Sequence, residues 1–102
     1  MAISQAGVPA TAGAIYTSSG STVAVTIYFC NYDTVDRTFS VWVVPSGGSA
    51  NDGTIIYKDL GIQTTDTYII DLEKLLLDNG DAIFAIADSA SAVTATISHI
   101  GV

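Results

Sequence analysis

Apolar and polar residues alternate with a period of two over most of the chain. Between Thr22 and Asn31, Val23, Val25, Ile27 and Phe29 share one face, with Ala24, Thr26, Tyr28 and Cys30 on the other. In a β-branched and aromatic background this spacing predicts a strand whose first face lies in a core. Ala92 to Ile100 repeats the pattern, Val93, Ala95, Ile97 and His99 opposing Thr94, Thr96 and Ser98, as in a sheet buried on one side. Gly13 to Thr17, Thr54 to Leu60, Thr64 to Leu72 and Asp81 to Asp88 are further strand-like runs. Thr38 to Val44 is apolar on both faces, Phe39, Val41 and Val43 against Trp42 and Val44. Such a strand is covered on both sides, or is covered on one and turns Trp42 toward a partner.

Turn chemistry separates these runs. Ser18-Ser-Gly-Ser21, Asn31 to Asp36, Ser46 to Gly53 and Asp78-Asn-Gly-Asp81 are clusters of turn-forming residues, and Pro45 ends the strand before it because it lacks a ladder donor. The Asn79-Gly80 pair predicts a hairpin turn. Asp71 to Leu77 admits either one helical turn capped by Asp71 or a short strand. No run of sufficient length carries a helical period. The expected fold is all-β: one antiparallel β-sandwich or jelly roll of about eight short strands over residues 13–102. Residues 1–12 carry no charge and are rich in Ala, Gly, Ser, Val and Pro; they are expected to form an extended N-terminal arm, held by a neighbouring subunit or by the domain's own surface.

A chain of 102 residues can remove roughly 60–70% of its unfolded surface from water and needs no covalent staple. Cys30 is the one cysteine, which excludes an intramolecular disulfide and suits a small buried apolar side chain. Hydrophobic residues make up 49% of the chain and charged residues 13%, more apolar surface than one small core can use, and such surplus usually ends in an interface. Apolar runs are broken well short of the ~18 residues that span a bilayer, so no membrane partner is expected, and neither is a secretory leader. Ten acids against Arg37, Lys58 and Lys74 leave a net charge of -7. That field repels phosphates, so no nucleic-acid partner is expected.

The residues offer little for catalysis, and no enzymatic activity is expected. A Ser-His or Cys-His nucleophile would have to use His99, the only histidine, with Cys30 or one of the serines; no Gly-x-Ser-x-Gly elbow accompanies it. One His and one Glu cannot build a cupin-type metal centre. Asp78, Asn79 and Asp81 could offer oxygens to calcium, but they lack the EF-hand spacing and are what a turn contains, so no metal or other cofactor is assigned. Gly47-Gly48 has neither the Lys nor the following helix of a phosphate loop and reads as a flexible surface connection. Trp42 with Tyr28, Tyr57 or Tyr68 could form a sugar-stacking platform, although aromatics in a small sandwich usually belong to the core.

Arg37-Thr-Phe-Ser-Val-Trp-Val-Val-Pro-Ser-Gly-Gly-Ser-Ala50, Ile56-Tyr57, Asp66-Thr-Tyr68 and Leu77-Asp-Asn-Gly-Asp-Ala-Ile83, taken as an ordered set, resemble small β-sandwich structural proteins of tailed bacteriophages. The resemblance covers about Gly13 to Ile100. It implies a virion component without enzymatic activity, assembled in the host cytoplasm: a capsid decoration (cement) protein that binds and stabilises the head shell, with the major capsid protein as partner. A tail, collar or fibre component among tail proteins is the close alternative, and a host-surface carbohydrate-binding module a third. Such a protein is expected to be a symmetric homo-oligomer, a trimer by preference. Partner contacts are expected from the arm, at Ile3, Val8 and Pro9, from Trp42, and from the following loop, at Ser46, Gly47, Gly48 and Asn51.

Overall fold

The computed structural model describes residues 2–101, and among these the side chains of all but residues 2, 23–25 and 71–75. Eight strands follow one another: β1 (Ala2–Gly7), β2 (Gly13–Thr17), β3 (Thr22–Asn31), β4 (Arg37–Val44), β5 (Ile55–Ile62), β6 (Thr67–Leu77), β7 (Ala82–Ala87) and β8 (Val93–Gly101). They form two four-stranded sheets, β1-β8-β3-β6 and β2-β7-β4-β5, paired antiparallel throughout. This is a jelly roll. The ambiguous run from Asp71 to Leu77 is the second half of β6.

Only β4 and β5 are consecutive in sequence and hydrogen-bonded to each other; every other connection among the described strands crosses between sheets. The expected Asp78–Asp81 hairpin is one of these crossings. Asp81 donates its backbone N–H to the Asp78 carbonyl, 3.0 Å, and Gly80 takes φ +89° while Asn79 keeps a negative φ. Positive φ at the third position alone defines a type II turn, whereas the type I′ hairpin turn that Asn-Gly favours needs it at both central positions and type II′ at the first. The chain therefore leaves β6 in one sheet and enters β7 in the other.

Between the sheets lies the core. Ile27 and Phe29 of β3, Phe39 and Val41 of β4, Ile83 and Ala85 of β7, and Val93, Ala95 and Ile97 of β8 are buried together. Phe29 and Phe39 stack across the gap with ring centroids 4.3 Å apart, and Tyr68 of β6 meets Phe39 edge-on at 5.7 Å. β8 shows the alternation expected of it. In β3 the alternation is interrupted by a register shift between Ala24 and Thr26 toward both neighbours; the expected core positions Val23 and Val25 lie outside the described side chains.

The expected arm is a strand. β1 pairs with β8 from Ala2↔His99 to Gly7↔Thr94, and Val8 beyond it is only 2% exposed, inside the core. Its composition resembles an arm because an edge strand with one small-residue face needs few large apolar side chains. The folded unit thus begins in the segment assigned to the arm rather than at residue 13.

Candidate interaction surface

The outer face of the β1-β8-β3-β6 sheet can be read from its registers. One row runs Gly7, Thr94, Cys30, Thr67; the next Gln5, Thr96, Tyr28, Ile69; a third Ile3, Ser98, Thr26, Asp71; and Ile100 and Leu76 flank β3 beyond the register shift. Among the described side chains this face carries no Asp, Glu, Lys or Arg. Ile3 is 69% exposed, Ile69 57% and Leu76 71%, and Tyr28 and Ile100 are also open. Leaving the aliphatic ones partly in water forgoes a fraction, about half, of the roughly 1.5–3 kcal/mol that burying a fully exposed side chain of this size brings. A solvated face of an antiparallel sheet ordinarily carries polar side chains with scattered charges; the described side chains of this one are hydroxyl-rich, uncharged and include several large apolar groups.

The opposite outer face, on β2-β7-β4-β5, is apolar but largely self-covered. Ala14, Phe84, Trp42 and Ile55 form one cross-strand row, in which Phe84, Trp42 and Ile55 are half-buried. Trp42 is flanked by its own sheet on both sides. Val44 and Ala82 are buried on this outer face beside the β4–β5 loop, where a shallow groove of about 200 Å³ runs between Ala14, Phe84 and Pro45–Gly48. That volume falls below the ~300 Å³ at which ligand pockets start.

The expected contact residues are divided by the fold. Ile3 lies on the open face. Val8, just past the end of β1, is buried in the core and so is not open to a partner. Pro9 is half-buried, its carbonyl accepting the Ala87 N–H at 2.9 Å. Ser46, Gly47, Gly48 and Asn51 are exposed, but the loop is more organised than its glycines suggest. Gly48 N–H donates to the Pro45 carbonyl at 2.8 Å, Ser46 N–H to Asp81 Oδ1 at 2.9 Å, Asn51 N–H to Thr54 Oγ1 at 3.1 Å, and Gly53 N–H to Asn51 Oδ1 at 2.8 Å.

Asn79 and Asp81, turn residues considered as calcium ligands, act as hydrogen-bond acceptors between loops. Asn79 Oδ1 accepts the Gly20 N–H at 2.9 Å, and Asp81 accepts from Ser46 and, through Oδ2, from Asp78 N–H at 2.9 Å. These oxygens join three loops at one end of the sandwich. Among the described residues no three His, Cys, Asp or Glu side chains gather as a metal site would require.

His99 Nε2 lies 2.9 Å from Ser4 Oγ, and its Nδ1 3.5 Å from the Tyr16 hydroxyl. The phenol occupies the place a carboxylate takes in a catalytic triad. Tyr16 also reaches Thr22 Oγ1 at 3.3 Å, and Ser18 donates to the same oxygen at 2.9 Å, so the histidine belongs to a polar chain closing the sandwich. Cys30 pairs with Thr94, five residues along β8 from His99, about 17 Å.

The aromatics do not share a platform. Tyr28 is on one outer face and Trp42 on the other, while Tyr57 packs against the core and Tyr68 against Phe39. Sequence reasoning missed Tyr28, Ile69, Leu76 and Ile100 as a group; the period-two signal was present, but which face each strand turns outward depends on the sheet it joins.

No protein-family model, curated protein or solved structure matches this chain. What the molecule does must therefore be argued from its surface.

Proposed function

We propose that the chain is a non-enzymatic structural subunit of a tailed-bacteriophage virion, a capsid decoration protein that seats the outer face of its β1-β8-β3-β6 sheet on the head shell and braces neighbouring capsid subunits. The observation that carries this reading is the exposure of Ile3, Tyr28, Ile69, Leu76 and Ile100 on one face without charge among its described side chains. A patch of this kind marks a docking surface. Among the described acids, Asp33, Asp36, Asp66, Asp78, Asp81 and Asp88 sit in loops or beside strand ends, away from the described part of this face.

Two measurements test it. Quantitative mass spectrometry of purified virions is expected to find the protein in amounts comparable to the major capsid protein. A handful of copies per particle would move it to the tail, collar or fibre. The double variant Ile69→Asp, Leu76→Asp, which alters exposed side chains only, is expected to fold and to lose binding to heads; unchanged binding would overturn the assignment of the face.

A further inference from the structure

We infer that two copies of this chain join through the free edges of β1, forming a two-fold dimer with one continuous sheet in the order β6-β3-β8-β1-β1-β8-β3-β6.

Sheet edges invite pairing unless something blunts them. Three of the four edges here are blunted. β5 has two register irregularities and carries Lys58 and Asp59, the latter at φ +52°. β2 is five residues long with a bulge after Ala14. β6 has a register shift and bears Asp71, Glu73 and Lys74 in its sequence. β1 is regular from Ala2 to Gly7, without charge or proline.

The pairing register follows from the ladder. Val8 donates its N–H to the Val93 carbonyl at 2.9 Å, so counting back in twos places Ala6, Ser4 and Ala2 in bonded positions with β8. The N–H and C=O groups of Ile3, Gln5 and Gly7 then point off the free edge. A two-fold axis at Gln5 is the antiparallel register that uses all three, pairing Ile3 with Gly7 of the second copy and Gln5 with its own symmetry mate. This gives about six backbone hydrogen bonds.

The side chains are self-complementary in that register. Ile3 protrudes and is 69% exposed, whereas a Cβ on Gly7 would meet nothing within 4 Å. A hollow of about 320 Å³ lies over Gln5, Ala6, Gly7, Thr94 and Thr96, on the same outer face as Ile3. Ile3 of each copy fills the hollow of the other. On the inner side Ser4 faces Ala6, two small residues at the non-bonded position, where paired strands come closest.

A chain of net charge -7 can meet itself here because neither Ala2–Gly7 nor Gly13–Thr17, the edge strand of the other sheet on this flank, contains a charged residue. Six residues run about 20 Å, and the thinnest dimension of the molecule is 20 Å, so the joint buries on the order of 800–1,000 Å² in total, below the roughly 1,200 Å² at which stable interfaces begin and within the range of weak, transient ones. The dimer is therefore reversible. It stands apart from the virion reading, since it concerns the isolated chain, and it gives a two-fold pair where the sequence favoured a trimer.

Light scattering and native mass spectrometry of the purified chain are expected to show a concentration-dependent dimer at tens of micromolar. Gln5→Pro deletes the outward N–H at the axis and no donor to β8, so it is expected to be monomeric with an unchanged thermal midpoint. Should proline perturb the fold, Gly7→Val decides, because it fills the hollow from a site with open space. Gln5→Cys in a Cys30→Ser background is expected to oxidise to a linked dimer, since bonded pairs stand about 5.5 Å apart at Cα, inside the disulfide range. A monomeric or trimeric native chain, a dimer that survives Gly7→Val, or failure of the Gln5→Cys variant to cross-link would each overturn the inference.

Discussion

Asn31, the last residue of β3, donates its side-chain amide to the backbone carbonyl of Ile62, the last residue of β5, 3.0 Å away in the other sheet. The same amide donates to the Val35 carbonyl at 3.0 Å, and its oxygen accepts the Asp33 N–H at 3.0 Å. The Asn31 backbone takes the Thr65 N–H and gives its own to Asp66. One residue thus joins β3, the β3–β4 loop and the end of β5, and it is 0% exposed.

Asn31→Ala is expected to cost about 2–4 kcal/mol, because two carbonyls and one N–H lose their partner away from water. Asn31→Asp should not rescue it, since a carboxylate offers no donor to either carbonyl. Urea unfolding of the three proteins measures this; an alanine variant as stable as the parent would mean that water takes over the amide's contacts.

Phe39 and Trp42 lie three positions apart on one strand and should behave differently. Phe39, stacked on Phe29, is expected to cost about 3–5 kcal/mol as alanine. Trp42, half-buried in the outer row with Phe84 and Ile55, should cost about half as much. Equal losses in denaturant titrations would show that Trp42 is covered as fully as the core.

Gly80 has φ +89°, and a Cβ there would come within 2.6 Å of Ser46 Oγ and 3.0 Å of Ser46 Cβ. Gly80→Ala is expected to lose about 1–3 kcal/mol through backbone strain and displacement of the β4–β5 loop. Gly61, in β5 with open space around it, should accept alanine with a change between zero and about 1 kcal/mol of stabilisation. Thermal midpoints of the two variants should move in opposite directions or differ by several degrees.

Asp33 accepts the Arg37 guanidinium through Nε at 3.0 Å and Nη2 at 2.7 Å, and the Thr34 N–H at 2.7 Å. The Arg37 hydrogen bond first, then that of Thr34, hold its carboxyl below the ordinary 3.8. A lowered folded value means that its stabilising contribution is present above the unfolded value and disappears as pH falls through the folded one. Asp33→Asn should therefore be less stable than the parent at pH 7, and the difference should shrink as pH falls below 3.8 and close in stronger acid, once the folded carboxyl is protonated. A gap that persists in strong acid would assign the effect to packing rather than charge.

The positions of most strands were legible because period-two alternation is a local property: β2 and β3 begin and end where their residues predict, and β4, β7 and β8 lie within a residue or two. Asp71–Leu77 was ambiguous because leucine suits a helix and a strand alike, and pairing with β3 settled it. Ser4 and His99 were not legible as partners: they stand 95 positions apart, and nothing near either residue names the other.

By itself the chain's chemistry determined an all-β molecule with a single core and too little charge for its apolar content, since composition and alternation set these without reference to any long-range contact. Tertiary structure alone decided that residues 2–7 form a sheet edge, that Asp78–Asp81 is a crossing, and that Ile3, Tyr28, Ile69, Leu76 and Ile100 share a face. The reason is physical. A backbone ladder offers the same donors and acceptors to any neighbour, so strand partnership is selected by how the whole set of side chains packs between two sheets, and each bulge inverts the faces beyond it.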